Sequence, residues 1–473
     1  MFGAGRCDLI RAMSEADAID FHIEVPQAAA PLIGRAAEIR AQLRTALGLP
    51  QGVVTGAGHQ PVVWHAGLLA KFIAASADAA ALAPRGKNGA WIHFVSDQDL
   101  VEPSRIDLPV RDAVGSVRKS SLQCSSAWSR SSNPRTSASY PPFPPHTAEA
   151  TCASDSAAHV LGAFVRQLGA HQQRSSAALQ FAEAVRACAE PWIGQPALTI
   201  GSATLLSAAA PLIDEILREP ERSAIAFNEA LRIDPHAARP LRVAGDASEL
   251  PLWRVGDDGT RARVTAHEAR GAMHGRDALL PRAFVASGLL RLCCDCFYHG
   301  TGGARYERVS EVWWRRFFGI ELPPFGTATA TLLPLPTALG IRAVPTLPRI
   351  SHRRLWWNPH LLTADRAQQD ARKAIMKCIE QAPRRSTERA AHYAALHELI
   401  AHGRAVASVQ LDHALREEGG TRDAHREATL ASDRTWPFLL LERDSVDALA
   451  ARITRAVHQA RRDPQMTRCV TPA

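Results

Sequence analysis

"VVTGAGHQPVVWHAGLLAKF", residues 53–72, decides the fold. A short β-branched run, Val53–Thr55, breaks at Gly56-Ala57-Gly58-His59. From about Gly67 to Leu82 the chain resumes as an Ala- and Leu-rich helix. After "APRGKNG", the segment "AWIHFVSDQD" (90–99) reads as a second strand. Strand, helix and strand at this spacing make a βαβ unit, so a parallel α/β sheet is expected. Glycines between a strand and a helix let backbone approach a ligand closely, and the helix start offers free N–H groups to an anion. His59 and His65 at this corner are candidates to donate to a phosphate or a developing oxyanion, with Lys71 adding a point charge. On local grounds a plain tight turn with solvent-facing histidines is an equal alternative.

The chain has 473 residues, 46% hydrophobic and 22% charged, which is ordinary for a globular protein with a sizeable core. It has no apolar run long enough to span a bilayer. The first residues, "MFGAGRCDLIRAMSEADAIDFHIEVPQ", carry acids throughout and no apolar signal core. A cytoplasmic protein without a membrane partner is expected. The net charge of +8 comes from 55 basic and 47 acidic residues, mostly scattered arginines interleaved with acids. Nucleic-acid binding needs a concentrated basic footprint, so a small anionic substrate is the better expectation and no nucleic-acid partner is assigned.

The nine cysteines are irregularly spaced and suggest no disulfide framework. "LCCDCFYHG" groups Cys293, Cys294, Cys296 and His299. Adjacent cysteines rarely all ligate, and no second Cys-x-x-Cys pair exists to complete a site. The segment reads as a buried strand or helix with small apolar thiols, and no metal site is assigned.

Residues 27–48 read as a helix stopped by Gly48-Leu49-Pro50. The stretch 116–156 is Ser/Pro-rich and reads as a long surface loop, partly disordered. A helical connecting insertion follows over 157–245, then a strand "ELPLWRV" (249–255) with "RARVTAHEA" as its hairpin partner. The α/β character returns from Leu279. Two long helices, 364–381 and 386–417, are split at Pro383 and share one apolar seam. They suggest an antiparallel hairpin or coiled coil ending at Gly419-Gly420. "DRTWPFLLLE" (433–442) reads as a segment returning to the core. The expected domains are an α/β core over 1–350, a helical hairpin over 351–425 and a return segment over 426–473.

Two further constellations could carry chemistry. In "FVSDQDLVEPSRIDLPV", Asp97, Gln98, Asp99 and Glu102 fall at the carboxyl end of the second strand, where open α/β sheets bind ligands. Carboxylates there can orient an amine, bind magnesium or act as a base; a solvated Asx turn is the plainer reading. In "FYHGTGGARYERVSEVWWRRFFG", His299-Gly300-Thr301-Gly302-Gly303 leads into a helix starting near Ala304, with Arg305 and Tyr306 on its first turn. That is a second candidate anion cradle. The Trp313-Trp314 and Phe317-Phe318 face reads as core.

Together, "TGAGHQPVVWHAGLLAK", "SDQDLVE", "AFNEALR", "ELPLWRV", "LLPRAF", "HGTGGARYERVSEVWWRRFFG" and the "WPF" return resemble the family of the bacillithiol-biosynthesis cysteine-adding enzyme. They most resemble its divergent relatives with a Gly-His-Gln-Pro signature. The resemblance implies a Rossmann-like core similar to nucleotidylyltransferases, helical insertions, and a C-terminal hairpin through which two copies dimerise. It also implies amide ligation of cysteine to an amine-bearing sugar-acid conjugate, with ATP or ADP and magnesium as candidate cofactors. On it, His59, His65, Asp97 and Asp99 would be catalytic. Thr55, Gly56, Gly58, Gln60, Lys71, Gln98, Glu102, His299, Gly300, Thr301, Gly302, Gly303 and Tyr306 would bind substrate or nucleotide. Gln98 stands where the family has a histidine, and Gly300-Thr301-Gly302-Gly303 replaces its Gly-Gly-Pro-Gly turn. Two other readings stay open: a nucleotidylyltransferase-type enzyme that adenylates a small acid, and a non-catalytic dimeric ligand-binding relative.

Overall fold

Six strands form the central sheet in a computed structural model, which describes residues 8–9, 20–27, 31–83, 89–111, 117–124, 135–144, 155–271, 279–333, 352–363 and 365–463. They are β1 (Asp20–Glu24), β2 (Val54–His59), β3 (Ala90–Val95), β4 (Leu198–Gly201), β5 (Cys296–His299) and β6 (Phe325–Thr331). Their order across the sheet is β1-β6-β5-β2-β3-β4. All neighbours are parallel except β1, which runs antiparallel to β6. The fold is therefore mixed α/β around a mostly parallel sheet. The helices that frame the site are α1 (Ala66–Leu82), α2 (Ala177–Ile193), α3 (Ala283–Cys293), α4 (Thr301–Phe318) and α5 (Arg443–Arg462).

β2, α1 and β3 make the strand–helix–strand unit. β3 stops at Val95, because Asp97 to Asp99 turn away from the ladder to make contacts of their own. A strand covered on both faces is apolar without alternation, as Trp91-Ile92-His93-Phe94-Val95 is. Val54, Ile92, Phe94, Ile200 and Phe297 join one apolar cluster with residues of α3 and α4. Trp91 and His93 instead lie against the rings of Trp64 and Phe72.

A helix apolar all round must be buried on all sides, and α1 is buried along most of its length. Its two buried charges, Lys71 and Asp78, have different fates. Asp78 receives Nε and Nη2 of Arg461 on α5 at 2.6 and 2.7 Å, and Arg461 Nη1 donates to the Pro26 carbonyl at 2.5 Å. Lys71 belongs to the site. The 433–442 segment does return to the core: Phe438 N–H donates to the Trp64 carbonyl at 2.8 Å, and Pro437 bridges His65.

Trp313, Trp314, Phe317 and Phe318 are buried core, as expected. Trp314 occupies the space that a Cβ on Gly288 would need. The cysteine run divides between the end of α3 and the start of β5, where burial pushes the Cys293 thiol up to about 12. The 249–255 hairpin forms as expected, with Arg261–Thr265 as partner and Leu279–Pro281 as third strand.

The Ser/Pro-rich stretch is a correction. Val117–Gln123 is a strand, paired antiparallel with Arg105–Arg111 over seven residue pairs. A 3₁₀ turn follows at Ser137–Ser139, whose backbone N–H groups reach back to Asp97 and Asp99. Residues 116, 125–134 and 145–154 of that stretch lie outside the described residues. No helix among the described residues is long and apolar enough to cross a membrane.

The chain divides into two compact units, residues 1–338 with 433–473, and residues 339–432. In the second unit, Arg366–Gln381 packs on Thr387–Val406, and Ser408–Ala431 follows. Gly419-Gly420, expected as a helix stop, lie inside the last of these helices. Neither has the positive φ that terminates a helix, and no atom lies within 4 Å of where a side chain would start. They cost about 1 kcal/mol each relative to alanine without breaking the ladder. The apolar clusters here are small: Leu355 with Ala407 and Leu411, and Ile379 with Leu396 and Ile400.

Candidate functional site

β2 and β5 are neighbours, yet the chain leaves them for opposite sides of the sheet: β2 leads to β3 and β5 leads to β6. Parallel sheets bind ligands in the crevice that such a switch opens beyond the strand carboxyl ends. A cavity of about 470 Å³ lies there, lined by the turn after β2, the turn after β3, the start of α4, and parts of α1 and α3.

His59 closes β2. Its Nδ1 lies 3.3 Å from the Gln60 carbonyl, which can only accept, so Nδ1 carries the proton and Nε2 keeps its lone pair. His65 is the N-cap of α1, and its Nδ1 accepts from Gly67 N–H at 3.0 Å. Its proton is therefore on Nε2. The two histidines hold opposite tautomers. Burial first, and then Lys71, holds the His59 pKa well below the ordinary value. Burial, then Arg434 and Lys71, brings His65 to about 4. Both rings are neutral at physiological pH.

Lys71 is 3% exposed, and its Nζ donates to the Gly58 carbonyl at 2.5 Å. Burial lowers its pKa to about 7. Gln60 Nε2 donates to Asp99 Oδ2 at 2.8 Å, Ser96 Oγ lies 3.3 Å from the same oxygen, and Arg261 reaches Asp99 Oδ1 at 3.4 Å. Across the cavity His299 Nε2 lies 3.1 Å from Glu307 Oε1, and Arg291 pairs with Glu307 Oε2 at 2.9 Å. Burial alone would raise Glu307, but His299, Arg291 and Ser287 together hold it at about 2.

The helix α4 starts at Thr301, three residues earlier than expected, and Gly300 and Gly302 have nothing within 4 Å of a notional Cβ. Its first turn is open space bounded by N–H donors. Thr301 and Tyr306 are exposed at its rim, and Gly303 packs on His299.

Of the residues expected at a site, Gly58, His59, Gln60, His65, Lys71, Gln98, Asp99, His299, Gly300, Thr301, Gly302, Gly303 and Tyr306 line the cavity. Four do not. Thr55 is fully buried and donates to the Ala75 carbonyl at 2.6 Å. Gly56 is there because a Cβ would strike Ile92, Cys294 and Phe297. Asp97 faces β4, accepting from Ser202 N–H at 2.8 Å, and its pKa is raised by burial. Glu102 accepts from Ser104. Gly58 also has a packing reason, since its Cβ would meet Phe94 at 2.8 Å.

Residues not anticipated include Ser287, Glu307, Thr329 and Arg434. Glu307 sits two turns into the helix that begins with the glycine cradle, and that spacing was a usable signal. Arg434 enters from the far end of the chain and bonds Thr329 Oγ1 at 2.9 Å, which no local pattern announces.

The cavity carboxylates Asp99 and Glu307 are both engaged by cations. Among the described residues no group of three or more His, Cys, Asp or Glu side chains could hold a metal ion. The donor set does not fit a protein-held magnesium ion. It does fit an anion at the start of α4. Compared with known proteins, the chain matches no protein-family profile and no curated sequence.

Proposed function

We propose that the protein is an amide-forming ligase of the cysteine-adding kind that its motifs resemble. It would join a carboxylate such as cysteine to an amine-bearing sugar-acid conjugate on a Rossmann-like core. The observation that supports this most is the pairing of two neutral histidines with opposite tautomers beside an open helix start in one cavity. Amide formation needs a base for the attacking amine, a donor for the tetrahedral oxyanion, and a seat for an anionic leaving group. His59 Nε2 has the lone pair for the first task. His65 Nε2–H can serve the second, and the backbone N–H groups at Gly300–Gly302 the third. ATP, as co-substrate, would supply the activating phosphoryl group.

The decisive experiment offers ATP, cysteine and glucosaminyl-malate and follows both phosphate release and the amide product by mass spectrometry. Amide formed in step with phosphate is the expected result; no turnover with any amine and acid pair would overturn the ligase reading. A nucleotidylyltransferase-type enzyme would release pyrophosphate instead, and the glycine turn after a parallel strand is compatible with it. One observation favours a non-catalytic relative: Gln98 has no acid–base capacity, and its amide oxygen is held by Ser202 Oγ. Ligand binding without product would establish that reading. In all three the protein is a cytoplasmic homodimer joined through its 351–425 helices.

A further inference from the structure

Of the 55 basic residues, only five are lysines: Lys71, Lys87, Lys119, Lys373 and Lys377. Arginine answers nearly every need for a cation, and arginine cannot give up its proton in a protein. One of the few lysines is buried in the wall of the cavity. Lys119 and Lys373 are exposed and paired with Asp107 and Asp370. Among the described residues no ion pair involves Lys71; its one hydrogen-bond acceptor is the Gly58 carbonyl. Its charge reaches the rings of His59, His65 and His93, all neutral, while the cavity carboxylates Asp99 and Glu307 are paired with Arg261 and Arg291. A point charge meant to hold an anion is usually solvated or paired. A buried lysine with no acid paired to it is instead set up as an amine.

We propose that Lys71 is a nucleophile that captures the carbonyl group of a small anionic aldehyde or 2-oxo acid as an imine. The neutral Nζ adds to the carbonyl carbon, and a C–N bond forms as the C=O π bond opens. The two N–H protons then leave with the oxygen as water, giving the C=N bond with no oxidant or reductant. The anionic end of the carbonyl compound would lie toward Arg434 and the open start of α4, which line the same cavity. The burial-lowered pKa of about 7 is consistent with this, since at neutral pH about half of such amines are free against roughly one in a thousand or fewer for an ordinary lysine. The inference uses the cavity and not the ligase chemistry, so it stands or falls separately from it.

The test treats the full chain with pyruvate and cyanoborohydride, without ATP or amine, and maps reduced adducts by peptide mass spectrometry. Lys71 should be modified at least about 10-fold faster than any other lysine at pH 7, with a half-maximal rate near pH 7. Acetone, which has no anion, should label it more slowly than pyruvate. Lys71→Arg, checked for fold by circular dichroism, should lose the fast adduct. Labelling of Lys71 no faster than the other lysines, or only after denaturation, would overturn the proposal. Faster labelling by acetone than by pyruvate would overturn the anionic class.

Discussion

Gln60 Nε2 donates to Asp99 Oδ2 at 2.8 Å, tying the turn after β2 to the turn after β3 along one wall of the cavity. The Asp99 carboxylate then keeps only the Ser96 and Arg261 contacts if Gln60 is lost. Gln60→Ala should lower stability by about 0.5–1.5 kcal/mol, the net worth of one such bond. Urea unfolding checks the figure, and an unchanged midpoint would mean the two turns are held by other contacts.

The two histidines separate chemistry from capping. His65→Asn keeps an acceptor at the N-cap of α1, so stability should change little, whereas His65→Ala should cost about 0.5–2 kcal/mol. Both should lose turnover if Nε2–H serves the oxyanion. His59→Ala should lose turnover with the fold intact, but leave binding of an anionic ligand nearly unchanged, because its Nε2 carries no proton to donate. Calorimetric titration and thermal melts on the three variants read these outcomes side by side.

Glycines of the two cradles should respond in opposite ways. Gly58→Val places atoms against Phe94, at 2.8 Å even for Cβ alone, and should destabilise by about 1–3 kcal/mol through overpacking. Gly300→Ala meets nothing within 4 Å and should fold normally, within about 0.5 kcal/mol. A loss of ligand binding in Gly300→Ala would then report on occupancy of the α4 start alone.

Acid sensitivity follows from the buried bases. His65 and His93 titrate at about 4 and about 3 in the fold, chiefly through burial, against 6.5 when unfolded. Between those limits the unfolded chain binds protons that the folded chain refuses, so stability rises with pH there and is lost on acidification. Glu307 acts in the same direction: held at about 2 against 4.5, its contribution disappears as pH falls through that window. Lys71, at about 7 against 10.5, adds a further rise in stability from pH 7 to 10.5. Lys71→Met should abolish that alkaline rise in urea midpoints while leaving the acid limb.

The second unit exposes Val406 at 55%, Val409 at 73% and Leu415 at 51%, on helices with very small cores. Exposed branched side chains on long helices suit a second copy. Excising 352–431 should convert a dimer to a monomer in light scattering, and a dimer that persists would relocate the contact to the first unit.

Much of the site was legible because it is local. A β-branched run, a glycine break and an alanine-rich helix sit within residues 53–82, and the 299–303 turn repeats the pattern at β5. What escaped was either non-local or unpatterned. Asp97 looks like a cavity carboxylate until Ser202, 105 residues on, claims it. The strand Val117–Gln123 has polar residues over most of its length and pairs in a small sheet, so apolar alternation could not mark it. Gly419-Gly420 mislead because a glycine ends a helix only when the backbone turns left-handed there.

The clamp between Asp78 and Arg461 spans 383 residues of chain. During synthesis α1 leaves the ribosome early, and its carboxylate must wait for an arginine made after the whole second unit. Until then the face of α1 that α5 covers is open, apolar and carries one unmatched charge. The central sheet of the nascent protein is therefore sealed late, by the C-terminal helix, and a release or stall before residue 461 would leave α1 as the surface a chaperone meets.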